Sequence, residues 1–223
     1  FQDQAKVEFQ SMRLPILYSF RRCPYAMRAR LSLAYAGISY EHREILLKDR
    51  PEALYHLSAK GTVPVLQLTD QTVIDESMAV MKWALQKNDP DHWYTNRIDE
   101  QDALILRNDG EFKERLDRYK YHVRFPKESY ETYQENISDI LSEYDLVLSS
   151  SSYLLGGQVS LADMALFPFI RQCAHVDLNW FISQFKYLAE WLAAFKESSL
   201  FGSIMTKYDV WEDGNKGVLV QWV

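Results

Sequence analysis

Cys23 is the residue with the clearest chemical potential, and it lies in the segment Tyr18-Ser-Phe-Arg-Arg-Cys-Pro-Tyr-Ala-Met-Arg28. The preceding apolar run has the length of a strand and the pattern after Pro24 is helical, which places the cysteine at a helix N-terminus. Free amides and the positive end of the helix dipole stabilise a thiolate there. Four basic residues would add positive charge around the sulfur: Arg21, Arg22, Arg28 and Arg30. The segment therefore favours a reactive thiol over a small residue that packs at a turn.

The chemistry open to this thiol depends on where a second thiol could come from. Ala26 stands where a Cys-x-x-Cys pair would have its second cysteine, so the segment supplies no resolving thiol. An attack by Cys23 on a disulfide would leave a mixed disulfide that an external thiol must clear. Cys173 lies in an apolar helical pattern and is predicted to be a buried small hydrophobe. The five histidines lack metal-ligand spacing, and no metal site is predicted.

Two further motifs follow along the chain. Thr62-Val-Pro-Val-Leu66 places a proline at the start of a strand. A cis Val63–Pro64 peptide bond would accommodate it by turning the chain, and an edge-strand proline is the alternative. In Asp75-Glu-Ser-Met78, Ser77 could cap the following helix, whose amides favour an anion, while Glu76 could accept from an ammonium group. A γ-glutamyl group carries both a carboxylate and an ammonium, so this pair matches it chemically.

The elements that would position these motifs follow the order β-α-β-α-β-β-α. The predicted strands lie at residues 14–18, 40–46, 63–68 and 73–74, and the predicted helices at 24–37, 51–57 and 77–88. This order predicts an α/β thioredoxin-like domain over residues 13–88. After a linker near residues 88–95 the hydrophobic period becomes helical, which predicts an all-α domain with a C-terminal tail over residues 96–223. Residues 1–12 are predicted to be a leader, partly of cloning origin.

Several residues of the second domain have mainly structural interpretations. Ser160-Leu-Ala-Asp163 has the form of a capping box, so Ser160 and Asp163 are predicted to be structural. Tyr119, Tyr121 and Arg107 could line a cleft for a second substrate, although helical periodicity explains them equally well. The apolar tail over residues 217–223 could pack over a cleft or form a dimer contact.

The three motifs, in this order, resemble those of the cytosolic glutathione transferase superfamily. Cys-Pro-Tyr-Ala is similar to the site of its cysteine-type, omega-like members, and the resemblance covers residues 13–207. It implies the fold predicted above, with Cys23 as the catalytic residue. It also implies a glutathione site that consists of Pro24, Tyr25, Arg50, Val63, Pro64, Glu76 and Ser77. Within it, Val63 would pair its backbone with the cysteinyl group, and Arg50 would contact the glycyl carboxylate.

The activity that this resemblance implies is glutathione-dependent thiol transfer. Cys23 would attack a glutathione mixed disulfide or adduct, and a second glutathione would clear the enzyme. The same site could carry out dehydroascorbate-type reduction and weak conjugation to a small electrophile. The resemblance also implies a homodimer. Two alternatives stay open, namely a non-catalytic transferase-like interaction or regulatory protein and a monothiol two-domain glutaredoxin.

Charge and composition narrow the class of partner. The chain has a net charge of −6, which argues against nucleic-acid binding. Residues 13–90 nevertheless hold 11 basic and 8 acidic residues, a net charge of +3, whereas residues 91–223 hold 13 and 21, a net charge of −8. The sequence shows neither a secretory signal nor an apolar run of membrane-spanning length, and two cysteines suit a reducing compartment. These features predict a cytoplasmic protein.

Overall fold

The computed structural model describes residues 14–222, and the predicted leader over residues 1–12 lies outside them. The first part of the chain forms β1 (Ile16–Ser19), α1 (Pro24–Tyr35), β2 (Tyr40–Glu44), α2 (Glu52–Leu57), β3 (Val65–Gln67), β4 (Val73–Ile74) and α3 (Ser77–Lys87). The second part forms α4 (Ile98–Arg107), a π-helical turn (Asn108–Phe112), α5 (Lys113–Lys120), a 3-10 turn (His122–Arg124), α6 (Tyr130–Leu148), α7 (Leu161–Ala174), α8 (Leu178–Gln184), α9 (Lys186–Glu197), α10 (Ser199–Ile204) and β5 (Val218–Val220).

The strands form one mixed sheet in the order β4-β3-β1-β2-β5. β1 pairs with β2 in parallel and with β3 antiparallel. Successive side chains of β1 point to opposite faces, as in any strand. Leu17 therefore packs with α1 and α3, whereas Tyr18 packs on the other face near α2. The thioredoxin-like domain followed by a helical domain is confirmed.

The C-terminal tail differs from the prediction of an all-helical second domain. After α10 the chain returns to the first domain, where β5 pairs antiparallel with Tyr40, Glu41 and His42 of β2. The indole of Trp222 also donates a hydrogen bond to the Ile38 carbonyl at 2.9 Å. Without β5, β2 would be an edge strand with unpaired backbone groups, which the tail satisfies. The tail thus extends the sheet.

The helical domain is organised around α7, which is buried along nearly its whole length. Its predicted capping box is confirmed, because the Ser160 hydroxyl accepts from the Asp163 amide and the Asp163 carboxylate accepts from the Ser160 amide. Asp163 also accepts from the Leu154 amide at 2.9 Å and from the Trp191 indole at 3.2 Å. Cys173 is fully buried in this helix, as expected for a small hydrophobe. Within residues 14–222, every helix is too short or too polar to span a bilayer.

One buried arginine joins the two domains. The Arg28 side chain in α1 is fully buried and forms a bidentate ion pair with Asp109 of the π-helical turn, at 2.9 and 2.6 Å. It also donates to the Ala165 carbonyl of α7 at 2.8 Å and to the Ser77 hydroxyl at 3.3 Å. The expectation that Arg28 contributes free charge near Cys23 is therefore wrong. The helical periodicity of α1 turns this side chain toward the second domain, where it is neutralised.

Candidate active site

Cys23 occupies the N-cap position of α1, with Pro24 directly after it. Its amide donates to the Phe20 carbonyl at 3.0 Å, which closes the turn between β1 and the helix. Its Sγ lies 3.8 Å from the carbonyl oxygen of Val63, within reach of a weak S–H hydrogen bond. The Val63–Pro64 peptide bond is cis, as predicted. The fold thus brings together two motifs that lie 40 residues apart in the chain.

The acidity of Cys23 departs from the sequence expectation. The sulfur is largely buried, and this desolvation raises the pKa of the Cys23 thiol above its ordinary value. The amides of Ala26 and Tyr25, together with the charges of Arg30 and Lys113, act in the opposite direction but do not offset the burial. The expectation of a thiolate stabilised by the helix terminus is therefore incomplete. Packing against the apolar cluster around Tyr18 and Val63 withdraws the sulfur from water, and a thiolate is poorly solvated there.

This burial predicts the pH dependence of alkylation. A raised pKa means that Cys23 is a thiol at neutral pH, so its rate of reaction with iodoacetamide in the free protein should keep rising beyond pH 9. Lys113→Gln removes a positive charge and should move the curve to still higher pH. Mass spectrometry of timed samples would measure both rates, with buried Cys173 as an internal unreactive control. A rate that levels off below pH 7 would contradict the prediction.

The loop before Cys23 is fixed by buried polar groups. Arg30 of α1 is fully buried, and its guanidinium donates to the Phe20 carbonyl at 3.3 Å and to the Arg21 carbonyl at 2.6 Å. The Arg21 amide in turn donates to the Glu44 carboxylate at 2.6 Å. Arg30 therefore acts on Cys23 in two ways, by its charge and by holding the loop. Sequence reasoning foresaw the charge alone.

Glu76 and Ser77 lie at the start of α3, with some differences from the prediction. Glu76 is the N-cap residue, and Ser77 is the first residue of the helix. Ser77 therefore does not cap the helix, and its hydroxyl instead accepts from Arg28. The exposed Glu76 carboxylate is ion-paired with Lys60, which also lies 3.3 Å from Asp75. Carboxylate, hydroxyl and a buried guanidinium thus lie at one helix end.

Arg50, the predicted partner of the glycyl carboxylate, makes a long side-chain hydrogen bond to Tyr55. It precedes α2, and its Nη1 lies 3.5 Å from the Tyr55 hydroxyl. Its Nε is buried without a hydrogen-bond partner among the residues described. No contact recorded within residues 14–222 joins Arg50 to Cys23, Glu76 or Ser77.

Cys23 opens onto a cleft of about 970 Å³ between the two domains. The first domain contributes Phe20, Arg22, Cys23, Pro24, Tyr25 and Leu47, and the second contributes Lys113, Asp117, Lys120, Tyr121, Arg124, Phe125, Arg171, Gln172, His175 and Val176. A volume of this size is typical of small-molecule sites. The described part of the chain has no group of three or more His, Cys, Asp or Glu side chains arranged for a metal ion.

The sequence identified this cleft only in part. Of the three candidates in the helical domain, Tyr121 lines it. Tyr119 is buried in the core, and Arg107 is ion-paired with Glu111 and Glu143. The cleft residues of α5 and the following turn were missed, although their positions 113, 117, 120 and 124 have the spacing of one helix face.

Comparisons with known proteins agree with this architecture. Residues 17–92 match the family model described as glutathione S-transferase, N-terminal domain, and residues 127–194 match glutathione S-transferase, C-terminal domain. Glutathione S-transferase omega-1 of Rattus norvegicus is 24% identical over 194 residues, which cover 84% of this chain and 78% of the relative. Glutaredoxin 2 of Escherichia coli K12 is 22% identical over 200 residues, which cover 74% of this chain and 87% of the relative.

A solved structure shares the fold at lower sequence identity. The glutathione transferase of Phanerochaete chrysosporium in complex with oxidised glutathione superposes with a TM-score of 0.73 at 19% identity, over 86% of this chain and 95% of that one. The two family models match in the expected order along the chain, and the mixed sheet and the helical domain agree with them. The chain belongs to the glutathione transferase superfamily.

Proposed function

We propose that this protein is a glutathione-dependent thiol transferase with Cys23 as its nucleophile. The observation that carries the proposal is the position of the sulfur. It lies at the N-cap of α1, 3.8 Å from the carbonyl that precedes the cis proline, and it faces the cleft. A hydroxyl-type transferase would hold a serine or tyrosine there to stabilise the thiolate of glutathione. Tyr18, the tyrosine in the first strand, is buried, and its hydroxyl accepts a hydrogen bond from Arg43.

Glutathione would bind along the first domain beside Cys23. The backbone of Val63 would pair with its cysteinyl group, next to Pro64. Glu76 and Ser77 would receive the γ-glutamyl group, with the ammonium on Glu76 and the carboxylate on Ser77. Arg28 donates to the Ser77 hydroxyl, which leaves the hydroxyl proton free to be donated to the carboxylate. The incoming ammonium would displace Lys60 from its ion pair with Glu76.

Three other residues complete the proposed glutathione site. Pro24 and Tyr25, in the first turn of α1, line the cleft together with Cys23. Arg50 is proposed to contact the glycyl carboxylate, since its guanidinium is only weakly engaged by Tyr55. The co-crystallised oxidised glutathione of the Phanerochaete chrysosporium transferase supports a disulfide form of glutathione as a ligand for this fold.

Transfer would proceed in two exchanges. The Cys23 thiol first loses its proton to water, and the thiolate attacks the glutathionyl sulfur of a mixed disulfide. The new Cys23–glutathione disulfide forms as the old disulfide bond breaks and releases the other half as a thiolate. A second glutathione, as thiolate, then attacks the glutathionyl sulfur held by Cys23. This step frees Cys23 and forms oxidised glutathione, so no external oxidant is needed. The amides of Tyr25 and Ala26 would hold the Cys23 anion in both steps.

Intact mass after incubation with oxidised glutathione tests this proposal. We expect one glutathionyl adduct on the native protein and on Cys173→Ala, and none on Cys23→Ala. Cys173 is the matched control because it is fully buried within α7. Reduced glutathione should remove the adduct within the same experiment. An adduct that persists in Cys23→Ala, or native protein that stays unmodified, would overturn the proposal.

A monothiol glutaredoxin activity is the second candidate, favoured by the similarity to Escherichia coli glutaredoxin 2. Ala26 occupies the resolving position and Cys173 is buried in the other domain, so such an activity would use Cys23 alone. We also propose dehydroascorbate-type reduction, weak conjugation, and a cytoplasmic homodimer, each supported by membership of the superfamily. Retention of this site argues against a purely structural interaction protein.

A further inference from the structure

The cleft beyond Cys23 is rich in positive charge. Five of its lining side chains are cationic, and they come from three separate parts of the chain: Arg22, Lys113, Lys120, Arg124 and Arg171. Asp117 is the only acidic side chain among the lining residues, and it is already ion-paired with Lys113. Four of the five cations belong to the helical domain, whose net charge is negative, so the charge at the cleft is opposite in sign to the net charge of that domain.

Arg171 near the end of α7 is the most informative of these residues. Its Nε is buried and has no hydrogen-bond partner within residues 14–222. None of the ion pairs found in the described part of the chain involves it, and its guanidinium carbon lies 5.5 Å from the centre of the Phe201 ring. Burial and the like charge of Arg21 lower the pKa of Arg171. Because this half-buried guanidinium is only partly hydrated and has no counter-charge in the described part of the chain, it points to an anionic ligand group.

The remaining cations extend the same surface across the cleft. Arg124 lies with its guanidinium 4.6 Å from the centre of the Tyr121 ring, and the Lys120 ammonium lies 4.9 Å from the same ring. Arg22 is exposed and directly precedes Cys23. None of these three side chains takes part in an ion pair recorded among residues 14–222. The Tyr121 ring packs against Lys120 and Arg124 at the cleft, where these cations would attract negative charge.

We propose that this cleft binds a carboxylate-bearing thiol as the leaving half of the disulfide, with Arg171 and Arg22 as its specificity-determining residues. The inference rests on the proposed function and names the substrate class for it. The glutathionyl half would lie on the first domain, and the acidic half would lie against the helical domain.

The chemistry of the first exchange favours such a substrate. When the Cys23 thiolate attacks the glutathionyl sulfur, the disulfide bond breaks and its electron pair leaves on the other sulfur. An acidic leaving half therefore carries a carboxylate throughout and gains a second negative charge as it departs. The cations of the cleft stabilise both the carboxylate and the new thiolate. This stabilisation is stronger than it would be in bulk water because the site is partly desolvated.

A charge series of mixed disulfides tests the inference. Glutathione is joined to 3-mercaptopropionate, 2-mercaptoethanol or cysteamine, which have similar chains and carry a negative, neutral or positive end group. Formation of oxidised glutathione is followed with reduced glutathione as co-substrate. We expect kcat/KM to fall in that order, by about tenfold per step at low ionic strength, and the differences to shrink as salt is added.

Variants then test which side chains produce the preference for an anionic leaving half. Arg171→Gln should reduce the anionic-to-cationic ratio by about tenfold, as expected for the loss of one charge contact. The exposed Arg22→Gln provides a second test that does not depend on the folding of a half-buried variant. Arg118→Gln removes the same charge from the exposed face of α5, where Arg118 pairs with Glu114, and should leave the ratio unchanged.

The possible outcomes distinguish failure of the inference from failure of the proposed function. Equal kcat/KM values for the three disulfides, in a reaction that still requires Cys23, would overturn the inference and leave the proposed function standing. An undiminished preference in both Arg171→Gln and Arg22→Gln would also overturn it. The absence of Cys23-dependent turnover with all three substrates would overturn the proposed function, and the inference with it.

Discussion

Replacement of Cys23 by alanine is expected to lower kcat/KM for thiol transfer by at least about a thousandfold, because the reaction would lose the atom that forms the covalent intermediate. The remaining groups bind glutathione but cannot form a disulfide with it. Initial rates with the glutathione–mercaptoethanol disulfide would measure the loss. Binding of glutathione should persist, so the defect should appear in kcat.

Two further variants make this result specific. Cys173→Ala should keep native activity, because that sulfur is buried in the helical core and does not face the cleft. Cys23→Ser should lose thiol transfer as completely as the alanine variant. Its hydroxyl can, however, donate a hydrogen bond to a bound glutathione thiolate, so conjugation to an electrophile should be kept or increased. Thiol transfer that survives in Cys23→Ala would show that another group is the nucleophile.

Loss of the Asp109 carboxylate is expected to lower the free energy of unfolding by about 3 kcal/mol, since it leaves a buried charge without its partner. Arg28 is fully buried, and both of its terminal nitrogens contact this carboxylate. About a third of the Asp109 side chain is exposed, so the loss lies at the lower end of the range for buried pairs. Urea unfolding of Asp109→Ala would measure it.

Two control variants show whether the loss of stability comes from the charge of Asp109. Asp109→Asn keeps an acceptor but not the charge, and its destabilisation should be nearly as large, because the guanidinium stays buried. Asp139→Ala removes an exposed carboxylate 3.7 Å from Arg115, and it should cost less than about 0.5 kcal/mol. If Asp109→Ala were no less stable than Asp139→Ala, the ion pair between the domains would be unimportant. Glutathione affinity should also fall in Asp109→Ala, because Asp109 holds the Arg28 guanidinium in place and Arg28 in turn positions the Ser77 hydroxyl.

The parts of the site that depend on a single strand, helix or turn could be predicted from the local sequence. The strand before Cys23, predicted to end at Tyr18 and found to end at Ser19, follows from periodicity, and the helix that begins at Pro24 follows from periodicity and from the preference of proline for a first helical turn. They fix Cys23 at an N-cap. The cis bond before Pro64 follows similarly, because proline is the residue for which that geometry is inexpensive. Ser160 and Asp163 satisfy each other's backbone amides within four residues.

The features that the sequence did not reveal all depend on contacts between distant segments. Whether Cys23 is easier or harder to ionise depends on how much water the side chains packed around it remove, and these include Val63, which is 40 residues away in the chain. Arg28 and Arg30 have the same residue type and lie in the same helix. Arg28 meets a carboxylate across the domain interface, whereas Arg30 meets only carbonyl and hydroxyl oxygens, among them those of the loop before Cys23 and of Ile204 in α10.

The sequence by itself determined the fold class, the thiol and the motif around it, because each rests on a pattern within a few consecutive turns or strands. Tertiary structure decided the return of β5 to the sheet and the positive charge of the cleft. Arg22, Lys113 and Arg171 are far apart in the chain, and a net charge averaged over a domain conceals them. Electrostatic interactions depend on distance in space, so only the folded chain brings these cations together beside one sulfur.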